Sequence, residues 1–126
     1  MVITNELIQS DSRGVLVVDK HPDLVAALQT RNIKALSAPA VLTDDQIREL
    51  IIPHRIFVTN NSKDFLDDAT SFEYSIIGTE AVSKDAKALA AMISHAIIDH
   101  GLWSKSFGWV LRLQAPGNHE LEVLPK

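Results

Sequence analysis

The chain has 126 residues, 46% hydrophobic and 22% charged, the size and balance of one globular domain with a full core. Its net charge of −4 excludes strong overall attraction to nucleic acid or an anionic membrane, although a bound divalent cation would supply positive charge locally. The absence of cysteine excludes disulfides, thiol catalysis and thiolate metal sites. No apolar run approaches the ~18 residues of a membrane span. The start, MVITNELIQSDSRG, lacks the basic and long apolar parts of a signal peptide, which points to a cytoplasmic protein. Residues 1–13 read as an extension, flexible or paired with a neighbour, before a single domain over 14–126.

Residues 15–18, VLVV, form an unbroken apolar run, the pattern of a strand buried on both faces of a parallel sheet. Asp19 stands at its end. Pro22 suits the first turn of a helix whose apolar face is Leu24, Val25 and Leu28. A short strand near 33–38 follows and Pro39 ends it. Thr43 is an N-cap, with Asp44 and Asp45 in the first turn, where negative charge is favoured. Ile47, Leu50 and Ile51 make that helix's apolar face, and Pro53 stops it.

RIFVT, 55–59, is the third strand, and it runs into Asn60, Asn61, Ser62, Lys63 and Asp64, which are good turn residues. YSIIG, 74–78, is the fourth. Ser83 and Asp85 open the longest helix, near 84–100, and Gly101 closes it. Two last strands near 108–114 and 119–124 flank the turn chemistry of APGN and predict a hairpin. Strands alternating with helices predict a three-layer α/β/α domain with a mostly parallel central sheet.

Ligands of such sheets bind beyond the C-terminal ends of the strands. Asp19, Asp44 with Asp45, and the 60–64 turn all start on that edge. Carboxylates gathered there repel one another unless a cation sits between them, and oxygen-only donors favour Mg²⁺ or Mn²⁺. Each feature also has a plain structural role: Asp19 as a helix cap, Asp44 and Asp45 as partners of a helix dipole, NNSKD as an Asx-type turn. His95 and His100 face different sides of one helix, and His54 and His119 fall beside turns. His21 follows Asp19 by two residues. Trp103, Phe107 and Trp109 read as core filling, and the apolar long helix admits a homodimer contact.

VLVVDKHPDLVAAL resembles the start of a response-regulator receiver domain, in which a buried strand ends in an acidic pair. Here Lys20 replaces the second acid, and Thr59 or Asn60 stands where a receiver carries its phosphorylated Asp. A wider resemblance is to compact bacterial PIN-like domains, related to the ribonucleases of toxin–antitoxin pairs. It rests on the strand ending in Asp19, on DDQI at 44–47, on VTNNSKDF at 58–65, and on the order of the later strand, long helix and hairpin.

That resemblance implies a Mg²⁺- or Mn²⁺-dependent endoribonuclease with RNA as substrate and an antitoxin-type protein partner. Asp19 and Asp44 would be metal ligands, and Asn61, or as second choice Asn60, would take the place of the third-strand acid. Asp64 would be the further catalytic acid, and Thr59, Asn60 and Lys63 would position a phosphate. Asp45, Lys20 and His21 flank these positions. Lys20 and the neutral Asn61 depart from the family pattern and motivate an alternative: the same fold with a degraded site, used for protein partnership.

Overall fold

The computed structural model describes residues 15–19, 21–38, 41, 43–47, 55–67, 69, 74–82, 85–115 and 118–124. The expectations for residues 1–13, Lys20, Leu50, Ile51, His54 and Ser83 lie outside these, as does the side chain of Asp44. Six strands form one sheet: β1 (Val15–Val18), β2 (Lys34–Ser37), β3 (Ile56–Thr59), β4 (Ser75–Gly78), β5 (Trp109–Ala115) and β6 (Asn118–Val123). Their spatial order is β2-β1-β3-β4-β5-β6. The first five are parallel, and β6 returns antiparallel beside β5. All four residues of β1, β3 and β4 are buried, which is why these segments are continuously apolar.

Among the described residues, two helices are longer than a single turn. The first, α1 (Pro22–Thr30), begins where Pro22 fixes φ and His21 caps it, its Nδ1 accepting from the Leu24 backbone N–H at 3.3 Å. The cap is therefore His21 and not Asp19, because a proline at the first helical position assigns the cap to the residue before it. Leu24 and Leu28, one turn apart, are its buried face. Asn32, at φ 62°, then reverses the chain in a left-handed conformation that Asn tolerates.

The second, α2 (Ala86–His100), opens on Asp85, whose Oδ2 accepts from the Ala88 N–H at 2.9 Å. Gly101, at φ 59°, closes it. Between β2 and β3, Thr43 makes a reciprocal capping box with Gln46 (2.9 and 3.2 Å) ahead of the short helical turn Asp44–Gln46.

Helices α1 and α2 pack together over one face of the sheet, on Leu16, Val18, Val58, Ile77 and Leu111. Ile47, Phe65, Tyr74 and Leu124 cover the other face, on Val17, Phe57, Ile76 and Val110. There the Phe57 and Phe65 rings meet edge to face at 4.7 Å, and the Tyr74 hydroxyl donates to the Phe65 carbonyl at 2.6 Å. The β1–α1–β2 and β4–α2–β5 crossovers step in opposite directions across the sheet with their helices on the same face. The two crossovers therefore have opposite hands, and one is of the rare left-handed kind. No described helix is long and apolar enough to cross a membrane.

Candidate functional site at the β1 and β3 strand ends

From β1 the chain steps to β2 on one side, then returns to β3 on the other. A reversal of this kind leaves a crevice beyond the C-terminal ends of β1 and β3. The hydrogen-bond ladder runs one residue past the strands there. The Asp19 N–H donates to the Val58 carbonyl at 2.9 Å, and the Thr79 N–H donates to the Thr59 carbonyl at 3.0 Å. These bonds fix the backbone at three strand ends and hold Asp19, Thr59 and Thr79 along one rim.

A cleft of about 100 Å³ opens at that rim. Its polar walls are Asp19, His21, Thr59, Asn60 and Thr79, and Leu24, Val58 and Leu89 are among its apolar ones. Thr59 is 2% exposed, and its hydroxyl is committed in both directions. It donates to Asp19 Oδ2 at 3.0 Å and accepts from the Asn61 N–H at 3.0 Å. One hydroxyl therefore orients the half-buried Asp19 carboxylate and sets the start of the turn.

The rest of the turn is a short 3₁₀ segment, Ser62–Phe65, with Phe65 buried as its anchor. Asn61 and Asp64 are exposed and joined to each other, the Asn61 amide donating to Asp64 Oδ2 at 2.5 Å. Neither is among the walls of the cleft, where Asn60 stands instead. Lys63 and Asp45 are exposed. The His21 Nδ1 is occupied as the α1 cap, which ties this ring to the helix start.

Two rim residues escaped sequence reading. Thr79 lines the cleft, and Glu80 accepts from both the Ser62 N–H (2.7 Å) and the Ser62 hydroxyl (2.5 Å). Ser62 and Glu80 close over Gly78. A Cβ at that position would lie 2.7 Å from Glu80 Oε1 and 3.1 Å from Ser62 Oγ. The strand-end rule applied to β1 and β3 extends to β4 and would have found both residues.

No protein-family model, curated protein or solved structure matches this chain.

The donors around the cleft are a carboxylate, hydroxyls, an amide and the His21 ring, and the oxygen donors among them suit a hard cation such as Mg²⁺ or Mn²⁺. Among the described residues, no three His, Asp or Glu side chains converge as a metal cage. Mg²⁺ is commonly held by one or two carboxylates, with waters and substrate phosphates completing its shell. The single oriented carboxylate of Asp19 fits that role in kind. Among the described residues, the walls of a larger groove of about 470 Å³ beside the starts of β1 and β2 include no acid or histidine.

Proposed function

We propose that the chain is a PIN-like, Mg²⁺- or Mn²⁺-dependent endoribonuclease, the toxin of a toxin–antitoxin pair, with its site at the β1–β3 crevice. The observation that carries this reading is the Asp19–Thr59 pair at 3.0 Å, on adjacent strand ends at the mouth of a cleft with oxygen donors. Asp19 is the anchoring carboxylate and Thr59 holds its orientation. Thr79 and Asn60 offer further polar groups to a phosphate oxygen, and Asp64 with Glu80 adds negative charge along the rim. A divalent cation bound there would activate a water for attack on an RNA phosphodiester.

The test is RNA cleavage in Mg²⁺ or Mn²⁺ by the wild type and by Asp19→Asn, which still accepts from Thr59. Cleavage by the wild type, with loss in the variant at unchanged melting temperature, supports the reading. Cleavage that survives Asp19→Asn refutes it.

A second reading has its own observation. Asn61 stands where the family resemblance places an acid, and its amide is spent on Asp64. The same fold then serves as a protein-partnership module. Metal titration separates the two, because only the nuclease gains melting temperature with Mn²⁺.

A further inference from the structure

At the far end of α2, away from the cleft, two imidazoles meet. His100 is the last residue of α2, and His119 lies in β6, where it pairs with Leu113 of β5. His119 stands at the turn end of β6, as its sequence predicts, with its side chain only 9% exposed. His100 Nε2 and His119 Nδ1 are 2.7 Å apart, with the rings edge to face at 4.6 Å. His119 Nε2 faces Asp99 Oδ2 at 3.3 Å, close enough for an ion pair but not aligned as a hydrogen bond.

Two facing nitrogens at this distance hold one hydrogen between them. The Asp99 carboxylate favours a hydrogen on His119 Nε2. That leaves His119 Nδ1 as the acceptor and His100 Nε2 as the donor. A cation is not needed to explain the contact, since metal–nitrogen bonds of about 2.0–2.1 Å would hold the nitrogens further apart. Once both rings are fully protonated, two N–H groups and two positive charges face each other. The contact cannot persist in that state.

We propose that His100 and His119 form an acid-labile latch that fastens edge strand β6 to the C-terminal end of α2 and releases it below neutral pH. The charged groups around it act in both directions. His119 faces His100 from β6, Lys105 approaches from the segment after α2, and Asp99 on α2 opposes them both. Alternation along the hairpin puts Arg112, Glu120 and Glu122 on the opposite face, where Arg112 binds Glu122 at 2.7 Å.

Burial, then the charge of His119 and that of Lys105, hold the His100 pKa below its ordinary 6.5, and Asp99 offsets this in part. A histidine with a depressed folded pKa binds fewer protons folded than unfolded. Its contribution to stability is therefore complete above 6.5 and is lost as pH falls through the lowered folded value.

The experiment is amide hydrogen exchange of β6 in the full chain, corrected for intrinsic rates, from about pH 8 to about pH 5. The wild type should lose β6 protection over this range. His100→Gln, whose amide can donate to His119 without titrating, should keep protection to lower pH, and His100→Ala should lack it throughout. Equal pH dependence in wild type and His100→Gln overturns the latch. Should His100→Ala not fold, ring titration of the wild type by NMR still decides. A His100 midpoint that rises in His119→Gln supports the latch, and one that does not move overturns it.

Discussion

Replacing Thr59 with valine keeps the shape of the side chain and removes the hydroxyl that organises the rim. Two hydrogen bonds go with it. The one to the charged Asp19 carboxylate contributes about 1.5–3 kcal/mol, and the one from the Asn61 N–H about 0.5–1.5 kcal/mol. At 2% exposure, no water takes the place of the hydroxyl. Asp19 and Asn61 are more open and recover part of their loss from solvent, and the added methyl is buried, which returns up to about 0.8 kcal/mol.

The net loss expected is about 2 kcal/mol. With an unfolding entropy of about 2.1 cal/mol/K per residue, this lowers Tm by about 8 °C. Calorimetry or urea unfolding of Thr59→Val beside Thr59→Ser measures it. Serine keeps both hydrogen bonds and loses only a methyl, at a cost of about 1 kcal/mol. A valine variant at least as stable as the serine variant would refute the reasoning, because packing and not the hydroxyl would then govern the position.

Tyr74→Phe should cost about 1–2 kcal/mol in unfolding free energy, since it removes the hydroxyl's hydrogen bond to the Phe65 carbonyl in a fully buried setting. Gly78→Ala should destabilise by about 1–2 kcal/mol by forcing Glu80 off Ser62. In a double-mutant cycle its cost should shrink on an Glu80→Ala background, and strict additivity would show that the crowding lies elsewhere. The same Glu80→Ala change should raise the backbone exchange rate at Ser62, whose N–H loses its acceptor.

The strands of the sheet were legible because burial on both faces leaves no room for polar residues: VLVV, RIFVT and YSIIG each mark their own strand to within a residue. The ends of α2 were legible for local reasons as well, since Asp85 and Gly101 act on their own turns. Pro22 carried enough information to assign the cap to His21, although Asp19 competed for that role in the reading.

What escaped was non-local. Nothing in GTEA marks Glu80 as the partner of Ser62, because the contact spans eighteen residues and depends on β3 lying beside β4. His119 fell at the start of its expected strand, but its contact with His100 spans nineteen residues and has no mark in the local sequence. The engagement of Asn61 with Asp64 sat in plain view, three residues apart. It takes the 3₁₀ geometry to show that the two polar groups satisfy each other.

The separation between Asp19 and Thr59 also has a kinetic meaning. The Asn61–Asp64 contact is three residues long in sequence and can form as soon as its own turn does. The Asp19–Thr59 contact spans forty residues, and it requires β1 to have found β3 across the chain that carries β2. Parallel pairings of this kind carry the loop-closure cost that slows folding. During refolding the turn should therefore appear early and the cleft late, so a chain caught before β1 and β3 pair would show native-like local structure and have no site at all.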